Sequence, residues 1–497
     1  MFDDTSYRRA NDAIHAPAEL KERARQQSVP SSQNRKPRRW LPRAGGLVAA
    51  AVAVALLFQL SPGGGGSPAS GGSFASAAYV AEYPDVLEWE DFYGNRTDPD
   101  FDYDAAGQAW DNYRASIRAD GDYLSSLSGF TLNSARAALA GLEDRANGTY
   151  SPLALYMALS MAAELSGSST RQQVLDALGV SNLSVLREQT GRIWNSVHRD
   201  SKVSQSLLAN SLWLSGREEY QFKDAPLLTL RDSYYASTYV SDMGSQDTLN
   251  AIHDWLNRQT GNTLTDQVDA VKVDAGTVAL LLSTVYFHDQ WVNQFSEEKT
   301  APDTFHLANG GETTCDFMHM DLLGSYVAAE GFTSTSLSFE GSGSMTFILP
   351  DEGRTVDDLL ADNGLMERIL SNSDDDPDRA YGEIQLSVPK FSVSSTLDLI
   401  PILTELGITE LFDFTAADFT PLSDCPELYI DRATQSTIVS IDEVGCTASS
   451  FVEMELRCGA GFPDGLCVLN LNRPFLFVIS GVDHVPLFIG VVNDPTV

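Results

Sequence analysis

The side chains that could carry catalysis are scattered along this chain of 497 residues. The sequence contains no G-x-S-x-G nucleophile elbow, no H-E-x-x-H zinc motif, no Walker loop and no G-x-G-x-x-G dinucleotide loop. Its seven histidines include no pair at metal-ligand spacing, and no C-x-x-C pair occurs. We therefore predict a protein that is not an enzyme, that has no catalytic residues and that uses neither a metal nor another cofactor.

One segment near the C-terminus has the pattern of a strand. Its first set of alternate residues is small or apolar and comprises Cys446, Ala448, Ser450, Val452, Met454 and Leu456. Its second set is polar except for Phe451 and comprises Thr447, Ser449, Phe451, Glu453, Glu455 and Arg457. A period of two is typical of a strand with one face against a core. The pattern predicts either a segment that can add to a sheet or an ordinary edge strand.

Charge divides the chain into a basic end and an acidic body. Residues 1–43 hold ten Lys or Arg and five Asp or Glu, and the chain as a whole has a net charge of −35. Nucleic-acid binding depends on Lys and Arg that neutralise phosphate, so we exclude a nucleic-acid partner. The apolar fraction of 43% is sufficient for a sizeable core.

The run Ala44–Leu60 separates the two parts and contains 17 residues without a charge. As a helix it would be about 25 Å long, which is at the short end for a membrane span. Because basic residues precede it, the positive-inside rule predicts a cytosolic tail over 1–43, a single transmembrane helix or signal-anchor over 44–60, and an extracellular body. The alternative is a signal peptide cleaved near Ala77, after which the protein is secreted.

Beyond this run, residues 61–127 are predicted to form a Gly/Ser tether and an acidic spacer. From residue 128 to 497 the pattern is globular. Pro152–Leu165 is apolar nearly all round and predicts a buried helix, and Thr277–Phe287 predicts a central strand. Further strands are predicted at Ser344–Leu349, Ile384–Val388 and Phe475–Ile479. Strands and helices without strict alternation indicate the α+β class.

Eight segments in order resemble the serpin family, and together they cover about residues 128–496. They are Asn147–Ala163 (NGTYSPLALYMALSMAA), Leu208–Leu214 (LANSLWL), Ile252–Leu264, Leu282–Phe305, Val388–Leu411 with its P-K-F motif, Ala417–Phe419, Ile441–Gly445 (IDEVG) and Asn472–Pro495. The resemblance implies a serpin-like fold with a large, mostly antiparallel central sheet, smaller sheets, surrounding helices and an exposed reactive loop at about 445–471.

The resemblance also implies a function. Serpins are cleaved as substrates, and the loop of the acyl-enzyme then inserts into the central sheet as a strand. We therefore expect an exported, monomeric inhibitor of serine proteases. A cysteine protease is a second possible target, because it also forms an acyl-enzyme. The alternative is a surface binding protein with the serpin fold that does not inhibit.

The family's functional positions carry over in part. The hinge matches at Glu443 and Gly445, and the small residues that follow are Cys446, Thr447, Ala448, Ser449 and Ser450. The breach tryptophan matches Trp291. The first shutter serine matches Ser151, but the other shutter positions hold Ala154, Ser283 and Gln435. Since Ser283 and Gln435 can still form hydrogen bonds, we expect a modified shutter.

The position of the scissile bond follows from counting along the loop. In the serpin family the residue before the scissile bond is reached by counting fifteen positions from the hinge glycine, here Gly445. This count places the scissile bond between Gly459 and Ala460, whose small side chains would suit an elastase-like pocket. The loop is longer than usual, and Arg457–Cys458 is the alternative bond, which would suit a trypsin-like pocket. Cys458 and Cys467 either close a small disulfide loop or remain free thiols.

Overall fold

The computed structural model of the protein describes residues 48–60, 76–84, 87, 89–94, 101–118, 121–143, 145–201, 204–341, 343–443 and 465–497. The strands in these ranges are β1 Val48–Leu60, β2 Ser76–Tyr79, β3 Gly148–Tyr150, β4 Arg199–Asp200, β5 Gln205–Ser215, β6 Ala236–Ser241, β7 Thr277–Asp289, β8 Ala301–His306, β9 Glu312–Ala329, β10 Phe332–Ser338, β11 Ser344–Pro350, β12 Arg379–Pro389, β13 Phe391–Asp398, β14 Leu428–Ile441, β15 Leu466–Asn470, β16 Phe475–Ser480 and β17 Pro486–Val492. The helices are α1 Trp89–Tyr93, α2 Tyr103–Ile117, α3 Gly121–Leu139, α4 Pro152–Leu165, α5 Ser168–Ala177, α6 Leu183–Val197, α7 Asp224–Tyr234, α8 Gln246–Gln259, α9 Val356–Ala361, α10 Asn363–Ser371 and α11 Leu399–Glu405.

The strands form two sheets. The central sheet has the order β13-β14-β1-β7-β5-β6-β2, with β4 beside β5, and along this order only β5 and β6 pair in parallel. The second sheet has the order β15-β12-β9-β10-β11-β16-β17-β3, with β8 beside β9. The predicted α+β class and the mostly antiparallel central sheet are confirmed.

The centre of the fold is a sheet strand covered on both faces. All but one of the 13 residues of β7 are buried, since α4 packs on one face and α8 contributes to a second apolar cluster on the other. Strands covered on both faces are continuously apolar, as β7 is. The predicted helix Pro152–Leu165 is confirmed with the same bounds, and every residue in it is buried.

The prediction of a helix over Ala44–Leu60 is wrong for this structure, in which Val48–Leu60 is strand β1 of the central sheet. An uncharged run of Ala, Val and Leu suits a strand buried on both faces as well as it suits a lipid-embedded helix, and periodicity does not separate the two. Within the described ranges, no helix is long and apolar enough to cross a membrane.

Part of the predicted spacer is folded. Strand β2 pairs with β6 at the edge of the central sheet, and the ring of Tyr83 packs on Trp194 with centroids 5.0 Å apart. Helix α2 has no buried residue, whereas α3 runs across the predicted boundary at residue 128 into the core. The aromatic residues of this acidic stretch supply the apolar surface that holds it to the body. The predicted tail and most of the predicted tether lie outside the described residues.

Candidate strand-insertion site

The site is the position between strands β14 and β7 at the middle of the central sheet. Each of these strands is antiparallel to β1, so they run in the same direction as each other. Strand β1 lies between them and pairs with both along nearly its whole length. Ala53 is opposite Ser436 on one side and Thr284 on the other, and Val54 is opposite Gln435 and Ser283.

The predicted shutter lies where β14 meets the start of α4. The Ser151 backbone N–H donates to Gln435 Oε1 at 2.8 Å, and Gln435 Nε2 donates to the Ser151 carbonyl oxygen at 3.0 Å. The Ser151 hydroxyl donates to the Leu487 carbonyl at 2.6 Å and accepts from the Ala154 N–H at 3.3 Å, which makes it the N-cap of α4. Gln435 therefore joins the sheet to the helix.

Ser283 does not belong to this network. Its side chain is buried, but its hydroxyl has no hydrogen-bond partner in the part of the chain that the structure describes. The structure thus brings Ser151 and Gln435 into contact, and it leaves Ser283 on the neighbouring strand with Val54 between it and Gln435. A buried hydroxyl without a partner costs free energy, so this position weakens the shutter.

The predicted breach lies at the C-terminal end of β14, whereas the shutter contacts the middle of that strand. Trp291 is fully buried, its indole N–H donates to the Asp442 carbonyl at 3.0 Å, and its ring stacks on Phe339 with centroids 4.8 Å apart. Through this hydrogen bond Trp291 holds the chain directly after β14, where the predicted hinge begins.

Glu443 is the hinge residue that the structure describes, and it is tied down. Its carboxylate accepts a hydrogen bond from Thr300 Oγ1 and another from Lys390 Nζ, each at 2.8 Å. Burial alone would raise the pKa of Glu443, but these hydrogen bonds and the Lys390 charge outweigh it and hold the pKa below its ordinary value. Sequence reasoning did not single out Thr300 or Lys390, although Lys390 lies in the P-K-F motif.

The other loop predictions fall on residues 444–464, which lie outside the described residues. They comprise Gly445, Cys446, Thr447, Ala448, Ser449 and Ser450 of the hinge, and both alternative bonds, Gly459–Ala460 and Arg457–Cys458. After this segment the chain enters β15, in which Cys467 is buried and has a free thiol. Burial raises the pKa of that thiol above its ordinary value.

Asp289 is a site residue that sequence reasoning missed. It ends β7 opposite Val48 and is fully buried. Its carboxylate accepts from the Ser204 hydroxyl at 2.6 Å and from the backbone N–H groups of Gln290 at 2.7 Å and Gly341 at 3.2 Å. Burial raises the pKa of Asp289 to about 6, because these three hydrogen bonds offset only part of the desolvation.

Asp289→Asn is expected to stabilise the protein at neutral and alkaline pH. The Asp289 carboxyl has a pKa of about 6 in the folded protein, against an ordinary value of 3.8, so the folded protein holds its proton up to a higher pH. The contribution of this protonated carboxyl to stability is therefore fully present below pH 3.8 and is lost as the pH rises through 6. The amide mimics the protonated acid, and we expect up to about 3 kcal/mol more free energy of unfolding at pH 8. Urea unfolding at pH 5 and pH 8 measures it.

The matched control for this change is Asp266→Asn at an exposed position. Its free energy of unfolding should follow that of the unaltered protein at both pH values. An equal pH dependence with and without the Asp289 carboxyl would contradict the prediction.

Comparison with known proteins shows the family to which the chain with this central sheet belongs. The family model described as serpin (serine protease inhibitor) matches residues 126–495. The chain belongs to the serpin family. Serpins are protease inhibitors directed at serine proteases, so the prediction that the protein is not an enzyme is confirmed.

Individual serpins resemble the chain over most of its length. Alpha-1-antiproteinase 2 of Equus caballus is 28% identical over 361 residues, which are 70% of this chain and 81% of the relative. Serpin-ZX of Arabidopsis thaliana is 26% identical over 382 residues, 73% of this chain and 96% of the relative. The native-state structure of the thermophilic serpin tengpin has a TM-score of 0.65 at 23% identity and covers 76% of this chain and 95% of that chain.

Proposed function

We propose that this serpin is an exported inhibitor that traps a serine protease by inserting its cleaved reactive loop between β14 and β7. The observation that supports the proposal is that this position holds a complete 13-residue strand, β1, antiparallel to both neighbours. A loop that continues from Glu443 and turns back at the end of β14 would run in the same direction as β1. The position therefore has the length and the direction that insertion requires.

The chemistry belongs to the protease. Its nucleophile attacks the carbonyl of the residue before the scissile bond, and the acyl-enzyme persists if the loop inserts before water hydrolyses the ester. Fast insertion favours small side chains at the start of the strand, and Cys446, Ala448 and Ser450 meet this condition. The anchored Glu443 fixes the point from which the loop would begin to insert.

The direct test incubates the full chain, with and without a Leu56→Arg substitution that should expel β1 from the sheet, with elastase-like, trypsin-like and subtilisin-like serine proteases and a papain-like cysteine protease. A protease–serpin complex that survives a denaturing gel is the expected result for molecules in which β1 has left the sheet. Mass spectrometry of the released peptide then distinguishes Gly459–Ala460 from Arg457–Cys458. Cleavage without a complex, both for the unaltered chain and for the Leu56→Arg variant, would contradict inhibition.

Ala448→Arg is expected to turn the inhibitor into a substrate. Residue 448 belongs to the small or apolar set and would enter the sheet early, and a buried guanidinium without a partner is costly enough to stall insertion. We expect at least about a tenfold fall in the fraction of complex relative to cleaved product. The control is Glu455→Arg, which lies in the polar set and would enter late. Unchanged complex formation by Ala448→Arg would contradict loop insertion.

A second candidate is a binding protein with the serpin fold that does not inhibit. One observation favours it, namely that β1 fills the position that the loop would need. The same gel separates the two candidates, since a non-inhibitory serpin is cleaved without forming a complex. In either case we propose a monomer, which size-exclusion chromatography with light scattering would test.

We also propose that Ala44–Leu60, in molecules in which it has left the sheet, attaches the protein to the cell membrane with the serpin domain outside. The 17 uncharged residues and their basic flank support this proposal. After expression of the full chain, we expect serpin in the membrane fraction and resistant to an alkaline wash. Serpin in the medium with its N-terminus near Ala78 would instead support signal cleavage.

A further inference from the structure

We propose that Val48–Leu60 is an internal ligand of the central sheet that competes with the reactive loop, so that a molecule with β1 in place cannot insert its loop. The inference rests on the proposed position of insertion between β14 and β7. It adds that this chain carries its own occupant for that position.

The first observation is the completeness of the pairing. Residues Ala49 to Leu60 pair with Ser440 to Leu428, and Val48 to Gln59 pair with Asp289 to Thr277. These partners span almost the full length of β14 and β7. A second strand cannot enter between β14 and β7 while β1 holds the backbone groups of both. Occupation by β1 and insertion of the loop therefore exclude each other.

The second observation is that both faces of β1 fit their surroundings. On one face Ala51, Ala53, Ala55 and Leu57 are buried in a cluster with Ile252 and Trp255 of α8. On the other face Val54, Leu56 and Phe58 are buried in the main core, where α4 packs. Small side chains lie under the covering helix and larger ones fill the core. A segment held only by chance contacts would not match the two faces in this way.

The reactive loop fits the same position less well. With Ala448 and its set directed to the core, the other set would face the apolar cluster of α8. That set includes Glu453, Glu455 and Arg457, whereas β1 has no charged residue. Burial of charge against apolar side chains is unfavourable, so the sheet prefers β1 to the loop over its full length. Competition between the two therefore favours the closed form until the segment is withdrawn.

The connection to the rest of the chain allows such an exchange. Residues 61–75 link β1 to the edge strand β2, and they are rich in Gly and Ser. A connection of this length spans at most roughly 50 Å when fully extended, so a segment that has left the sheet stays at a high effective concentration near it. The segment can leave and return without unfolding β2.

The test is a disulfide that locks β1 in the full chain. Ala53 and Ser436 are directly opposite, so Ala53→Cys with Ser436→Cys should form a cross-link that mass spectrometry identifies. The control pairs Ala53→Cys with Ser440→Cys, four residues along the strand, which is too far to bridge. The probe is a fluorescent peptide with the sequence of residues 446–457 and Cys446 replaced by Ser.

We expect the oxidised, cross-linked Ala53→Cys/Ser436→Cys protein to bind this peptide at least about tenfold more slowly than the same protein in its reduced form. The Ala53→Cys/Ser440→Cys control should bind the peptide at the same rate whether it is oxidised or reduced. If the folded double variant forms no cross-link between residues 53 and 436, the proposal that β1 occupies the position between β14 and β7 is overturned. A cross-linked protein that binds the peptide as fast as the reduced one would overturn the competition.

A second variant keeps the test independent of the lock. Leu56→Arg places a charge in the core and should expel the segment, which we expect to increase the rate of peptide binding by at least about tenfold. An unchanged rate overturns the proposal. The proposed inhibition fails separately, if peptide binding responds to the lock while no variant forms a complex with any of the proteases.

Discussion

Cleavage of the reactive loop is expected to raise the melting temperature of the Leu56→Arg variant by tens of degrees, and that of the unaltered protein by only a few degrees. In the variant, about ten loop residues would gain ladder hydrogen bonds at roughly 0.5–1.5 kcal/mol each. Val452, Met454 and Leu456 would add roughly 1.5–3 kcal/mol apiece before conformational entropy is subtracted. Such gains rival the whole stability of an ordinary domain. In the unaltered protein β1 already occupies the position.

Calorimetry of intact and cleaved samples of both proteins measures this difference, with the nick placed within residues 457–460. The uncut Leu56→Arg variant provides the baseline. An equal, large increase in both proteins would mean that the loop displaces β1 freely. If neither protein gained stability, the chain would have a serpin fold without loop insertion, and the non-inhibitory alternative would be favoured.

Phe58→Ala is expected to lower the free energy of unfolding by about 3–5 kcal/mol, since a fully buried phenylalanine is lost from a packed core. The Phe58 ring lies edge-on to Phe419 with centroids 5.0 Å apart. This result would follow only if residues 48–60 belong to the folded sheet, because a phenylalanine in a solvated or lipid-embedded segment contributes nothing to that core. Urea unfolding of the full chain in the absence of lipid measures the change.

The control is Phe414→Ala, in which the same side chain is removed from an exposed position. We expect a loss of less than about 1 kcal/mol there. The loss for Phe58→Ala cannot exceed the free energy that holds β1 in the sheet, since beyond that point the segment leaves. Equal effects of the two substitutions would contradict the occupation of the sheet by β1.

The sequence predicted the parts of the fold in which local pattern and burial agree. Pro152–Leu165 is apolar nearly all round and begins after a serine that can cap it, so its bounds as α4 follow from the residues alone. Thr277–Phe287 falls within β7 because its apolar run has the length of a strand. Trp291 was assigned through the family resemblance, and it lies beside the end of β14.

What local pattern could not predict depends on distant partners. Nothing near Ala53 indicates that it pairs with Thr284 and Ser436, and an uncharged apolar run fits a bilayer as well as a doubly covered strand. The shutter shows the same limit. Gln435 and Ser283 both have the capacity to form hydrogen bonds. Only the folded structure shows that Gln435 reaches Ser151, whereas Ser283 lies beyond Val54 and its hydroxyl has no partner among the described residues.

The position of β1 has a consequence for biosynthesis. The strand at the middle of the sheet is the first described part of the chain to leave the ribosome, whereas β14 comes near the end. At about 5–20 residues per second, the roughly 370 residues between them take some 20–75 s to synthesise. Until β7 has been made the nascent segment has neither of its two neighbours, and it lacks β14 throughout the interval, while an export channel or a bilayer would be within reach. Molecules made on membranes and molecules made in a membrane-free translation system should therefore differ in whether β1 is in place, although their sequences are identical.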